Sequence, residues 1–139
     1  MAKFLTPLVL SSVSSQGRGT WRVRAPLIYQ SDLLRAPVTV PEDFVTDLAS
    51  VPRLPVAYFL VGGIAHRAAV VHDWFYTSHE VSRAVADKIL KEAAEADGAS
   101  WWQAWLLWVG VRVGGRSSWD AAGPKQPAHI RARFKKSGD

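Results

Sequence analysis

Along the first third of the chain, apolar and polar positions alternate in short runs broken by turn residues. "KFLTPLVL" is a first apolar run, and "SSVSSQGRG" after it is a Ser/Gly turn region. "TWRVRAPLIYQ" begins with Trp21 and Val23 on one side and Arg22 and Arg24 on the other. That two-residue period is the mark of a half-buried strand. Pro26 places an edge or a bulge in this run. "APVTVPEDF" predicts a third short strand ending near Pro41. In "VTDLASVPRLP", Pro52 and Pro55 prevent a long helix and predict a loop or a single helical turn. The period then changes. From Ile64 to Tyr76 the apolar positions follow a helical repeat after Gly62-Gly63. Thr77 and Glu80 stand at capping-box spacing, which predicts a second helix from Thr77 or Ser78 to about Asp97, with Gly98 just past its end. Ser100 predicts the cap of a third helix, Trp101 to Val113, stopped by Gly114-Gly115. Strands first and helices afterwards predict an α+β fold: an N-terminal antiparallel sheet or meander, then a three-helix C-terminal half.

Composition narrows this picture. With 139 residues, 48% hydrophobic and 21% charged, the chain reads as one globular domain, residues 1–123, followed by a basic arm, 124–139. The arm holds Lys125, Arg131, Arg133, Lys135 and Lys136, much of the excess behind the net charge of +5. It is either a solvated tail or a surface for an acidic partner, lipid headgroups or nucleic acid. No base-reading module is visible, so sequence-specific nucleic-acid binding is not expected. There is no cysteine, which removes disulfides, Cys metal sites and thiol catalysis and fits a reducing cytoplasm. The N-terminal apolar run is short and interrupted by Pro7, so it reads as a strand rather than a signal peptide. "WWQAWLLWVGVRVGG" is too short to span a bilayer before Arg112 interrupts it.

The chemistry lies in polar residues set into an Ala/Val-rich background. His72, Asp73 and Tyr76 share one face of the first helix with Ala69, and Arg83 and Asp87 share a stripe of the second. A short connection makes the two helices antiparallel neighbours, so Asp87 is expected to face His72. Two readings follow. In one, Asp87 fixes the imidazole tautomer and stabilises its protonated form, His72 is a general base acting on water, and Asp73 holds a hard cation. In the other, the same groups form a satisfied core network, with Arg83 and Asp87 an ordinary four-residue ion pair and Tyr76 a core residue. Asp47 either caps the turn it precedes or adds a carboxylate to that site, and Arg53 anchors its loop against Asp73 or Asp87. In the third helix, Trp101, Trp105 and Trp108 form one apolar face, and Trp102, Leu106 and Val109 another. Such a helix is either central to the core or half core and half interface, for a partner protein or a membrane.

Three motifs in order, "VPEDFVTDLASVPR", "AAVVHDWFY" and "SRAVADKIL", with "VRVGG" after them, resemble domain-of-unknown-function family 1353. That resemblance runs from about Val38 to Gly115 and implies an origin in tailed bacteriophages or prophages, without an established activity. "VVHDWFY" is in addition similar to the active-site helix of phospholipase A2 enzymes. This second resemblance implies His72 as the water-activating base, Asp73 as a calcium ligand, Tyr76 as a hydrogen-bonding support and Asp87 as the group that orients His72. The chain departs from that pattern in having no disulfides and in placing Gly62-Gly63 too close to His72 for the usual calcium loop.

Two functions are therefore expected. One is a virion structural or accessory protein of tail or neck type, made in the bacterial host cytoplasm and held to other phage proteins by its tryptophans and termini. The other is a small hydrolase assisted by a divalent cation, calcium ahead of zinc, acting on lipid or cell-envelope substrates.

Overall fold

The computed structural model describes residues 1–13, 20–46, 65–121 and 127–132. Asp47 and Arg53 lie outside these, as do Gly62 and Gly63.

Among the described residues six short strands come first: β1 (Lys3–Phe4), β2 (Leu10–Ser12), β3 (Trp21–Val23), β4 (Leu27–Gln30), β5 (Val38–Val40) and β6 (Val45–Thr46). They form two three-stranded antiparallel sheets, in the orders β1-β4-β5 and β2-β3-β6. Each of the first two apolar runs is thus divided between the sheets, at Pro7 and at Pro26, rather than forming one strand. Proline has no N–H to give a ladder, so pairing stops there. Thr6 fills the gap. Its hydroxyl donates to the Pro26 carbonyl (3.1 Å) and accepts from the Ile28 N–H (2.9 Å). Within the first sheet the alternation holds. Leu27, Tyr29, Val38 and Val40 are buried, while Ile28 and Thr39 between them are not.

Among the described residues three main helices follow: α1 (His66–Ser78), α2 (Arg83–Ala96) and α3 (Trp101–Gly114), with short α4 (Arg116–Asp120) and α5 (Ala128–Arg131). The chain is α+β, with sheets in the first half and helices in the second. α1 is the central element, since every residue from Ala68 to Ser78 is buried. A helix enclosed on all sides tolerates no polar group without a partner. α2 lies between α1 and α3 and packs on both.

The start of α2 differs from the capping-box expectation. Thr77 and Ser78 belong to the last turn of α1, where both are buried. His79 ends that helix in the left-handed conformation (φ 55°), its N–H reaching the Phe75 carbonyl. Ser82 is the cap of α2, its hydroxyl accepting from the Val85 N–H at 3.3 Å. Burial of the last α1 turn outweighs the local signal at Thr77. At the far end Gly98 (φ 104°) closes α2 as expected. The Ala99 N–H reaches the Ala94 carbonyl and the Gly98 N–H the Glu95 carbonyl, the paired bonds of a Schellman turn. Ser100 and Gln103 form a capping box on α3.

Side chains staple the helices to the first sheet. The Tyr29 hydroxyl donates to Glu92 (2.6 Å). Arg67 pairs with Asp97 (2.7 Å) while its guanidinium lies over the Phe4 ring. Within the segment read as a basic arm, α5 seats Ile130 in the core, and His129 lies 3.4 Å from Asp43.

Candidate functional site: a buried His-Asp-Tyr-Arg cluster

Asp87 is the hub. It sits on the buried stripe of α2 and is fully enclosed. The expected juxtaposition with His72 is present across the α1–α2 interface. A carboxylate can only accept, so the His72 Nε2–H donates to Asp87 Oδ1 (2.8 Å). The Tyr76 hydroxyl, one turn along α1, donates to the same oxygen (2.6 Å). Arg112, from the last turn of α3, donates to Oδ2 (2.9 Å). Three helices therefore meet on one carboxylate.

Arg112 is the residue that sequence reasoning missed. Its signal was in view: it is the one charge in the apolar run of α3. The expected four-residue ion pair between Arg83 and Asp87 gives way to Arg112–Asp87. Arg83 donates instead from Nη2 to the carbonyls of Val111 and Arg112, both at 2.9 Å. Carbonyls of the last helical turn carry partial negative charge, so a cation is well placed there; that of Val111 also accepts from the Gly115 N–H.

Gly115 makes the close packing possible. A Cβ there would meet the Val111 carbonyl oxygen at 2.5 Å and the Tyr76 hydroxyl at 2.6 Å. The Tyr76 ring lies against His72 (centroids 4.1 Å apart) and edge-on to Trp119 of α4, which stacks on His79.

The electrostatics correct one expectation. Burial would leave an imidazolium unhydrated, and it pulls the His72 pKa below its ordinary value although hydrogen bonding and attraction to Asp87 act the other way. His72 is therefore neutral rather than held protonated. Burial pushes the Asp87 carboxyl up, but donation from His72 and Tyr76, with Arg112 beyond, holds it below the usual carboxylate range. Burial and the Asp87 carboxylate raise the Tyr76 hydroxyl. The cluster is thus a neutral imidazole, a neutral phenol and an ionised Asp87–Arg112 pair.

Among the described residues, His72 Nδ1 and Arg83 Nε are buried without a hydrogen-bond partner. With Nε2–H committed to Asp87, Nδ1 carries an unshared lone pair. Asp73, next in the chain, is buried as well. Among the described residues, no group of three or more His, Asp or Glu side chains is arranged to hold a metal ion. Of the two expected cation ligands, Asp73 is described and Asp47 is not.

The tryptophans divide differently from either expected face. The side of α3 toward the core carries the small or slender residues Ala104, Leu107, Gly110 and Val111. Trp101, Trp102 and Trp105 are 74%, 45% and 47% exposed, and Trp108 is half-buried. With these residues on the core side, the indoles are left on the outward side of the helix.

Neither the curated proteins nor the solved structures contain a match to this chain. A family model does match, over residues 21–111, from β3 to the last turn of α3, and so takes in His72, Asp73, Tyr76, Arg83 and Asp87 together. That span is well over half of the sequence, and the chain belongs to the family described as protein of unknown function DUF1353.

Proposed function

We propose that this protein is a tailed-phage structural or accessory component that works by docking, and that its buried polar cluster serves the fold. The observation that carries this reading is the outward face of α3, where Trp101, Trp102 and Trp105 are exposed together on a helix that starts in a capping box. Large exposed aromatic patches rimmed by polar residues mark contact surfaces. The closure of the cluster supports the same reading. His72 and Asp87 are both fully enclosed, and the His72 Nε2–H and the Tyr76 hydroxyl proton are both committed to Asp87. The protein would be made in the bacterial host cytoplasm and meet its partner there or in the particle. Among the described residues no helix is long and apolar enough to cross a membrane.

The test has two parts. A mass-spectrometric inventory of purified particles asks whether the protein travels with them. Phage carrying Trp101→Ser with Trp105→Ser are then compared with wild type for infectious yield. A normal yield from the variant would sink the docking role of this face.

One observation favours a second reading. His72 Nδ1 holds a lone pair with no partner, while Asp87 and Tyr76 fix the ring. A base placed in this way takes a proton from water as the water adds to an ester or amide carbonyl, giving an acid and an alcohol or amine. Asp73 would then hold calcium, or else zinc, beside it. This reading requires hydrolysis of lipid or cell-envelope substrates that falls roughly 10²–10⁴-fold in His72→Gln. Absence of turnover by the wild type, with and without added calcium or zinc, ends it.

A further inference from the structure

We propose that the exposed face of α3 seats the protein on the surface of an anionic lipid bilayer, with Trp101, Trp102 and Trp105 entering the headgroup region. This deepens the docking reading, rests on it, and names the occupant.

The area of the patch argues first. At the exposures given above, the three indoles leave roughly 250–400 Å² uncovered, taking about 150–250 Å² for a whole aromatic side chain. A second copy of the chain packed face to face would bury about twice that. Stable protein interfaces bury about 1,200–2,000 Å² in total. The patch is too small to hold a dimer or a standard-sized partner by itself, while a bilayer surface requires no matching shape.

Chemistry argues second. Among the described residues, a groove of about 460 Å³ is lined by Trp101, Trp102, Trp105 and Leu106, none of them charged. Indole suits the membrane interface because its ring enters the acyl boundary while its N–H keeps a polar partner. Leu33, 52% exposed, extends the apolar surface beside Trp105.

Charge argues third. Lys88 and Lys91 of α2 flank Trp105 along the neighbouring groove, where their ammonium groups suit phosphate headgroups. Two acids share that groove. Glu92, held by the Tyr29 hydroxyl and the Asp32 N–H, and Glu95 offset the two ammonium charges locally, so the attraction to an anionic surface comes from the net charge of the chain. The chain as a whole carries +5, so its long-range field draws it toward an anionic surface. The described helices are too short to span, so seating on the surface is the geometry they permit.

The experiment uses the full chain and sedimentation with large vesicles of phosphatidylcholine, with and without phosphatidylglycerol. Tryptophan emission is read in parallel. Expected are binding to the anionic vesicles, a blue shift on binding, and weakening by salt. Trp101→Ser with Trp105→Ser should lower the bound-to-free ratio by roughly tenfold or more, and Trp101→Ser alone, at a side chain 74% exposed, should lower it with little change in the melt. Lys88→Glu with Lys91→Glu should weaken anionic binding at least several-fold. Val113→Ser, at an exposed apolar position at the other end of α3, should change nothing. Wild type bound to neither vesicle overturns the lipid proposal. If the tryptophan variant still lowers phage yield in that case, the docking face stands with a protein partner. If yield is normal as well, both readings fall. A dimer in solution that dissolves in the tryptophan variant would assign the face to a second copy and also overturn the lipid proposal.

Discussion

Replacing Asp87 by Asn isolates the charge at the centre of the helical half. The amide keeps nearly the same volume, so no cavity contributes. In its better orientation the amide oxygen still accepts from His72 and Tyr76, both of which use the single oxygen Oδ1. The amide nitrogen then faces Arg112 Nη1 at the 2.9 Å now spanned by an ionic hydrogen bond, donor against donor. A hydrogen bond to a charged group contributes about 1.5–3 kcal/mol. Arg112 is 34% exposed and recovers some hydration on turning away, which lowers the cost. The Tyr76 and His72 bonds weaken as well, from charge-assisted to neutral. Together these give an expected loss of about 2–4 kcal/mol. For a chain of this size that is roughly 6–16 °C in melting temperature. Urea unfolding followed by circular dichroism and by tryptophan emission measures it, the two signals being compared to check that unfolding is cooperative. Asp87→Ala should cost more, since it leaves Arg112 without its carboxylate and His72 and Tyr76 without an acceptor. A loss below about 1 kcal/mol in Asp87→Asn would refute the assignment of Asp87 as the electrostatic hub.

Three other outcomes follow from the same geometry. The folded state depresses the His72 pKa, so unfolded chains bind a proton that native chains do not; stability should be full above about pH 6.5 and fall as pH drops below it. His72→Gln should flatten that part of the stability profile, and an unchanged profile would show that His72 is not the group responsible. Gly115→Ala should destabilise by about 1–3 kcal/mol, because its methyl meets a backbone carbonyl and the Tyr76 hydroxyl, with no open space to take it; a neutral melt would mean that α3 and α4 shift freely. Gly98→Ala meets no atom within 4 Å but must hold φ near 104°, so a loss of about 1–2 kcal/mol should come from backbone conformation alone. Gly98→Asn should restore part of that loss, and equal melts for Ala and Asn would count against the cause.

Local chemistry made much of this protein legible in its sequence. The change from a two-residue to a helical period placed sheets before helices. Ser100 with Gln103 and Gly98 marked the start of α3 and the end of α2 because caps act through neighbouring backbone groups. His72, Tyr76 and Asp87 stood out because polar side chains among alanines and valines must find partners, and helical spacing limited which partners they could find. Tertiary structure decided the rest. Whether Arg83 or Arg112 pairs with Asp87 depends on how α3 crosses α2, a packing angle that no residue spacing within one helix contains. The state of His72 turned on total burial, since the cost of an unhydrated imidazolium exceeds the attraction of one neighbouring carboxylate. Thr77 and Ser78 went into α1 because the core had room for another turn, and a capping signal is weaker than that burial. The outward turn of the tryptophans is tertiary as well: the core side of α3 is taken by Ala104, Leu107, Gly110 and Val111, and Trp101, Trp102 and Trp105 face outside.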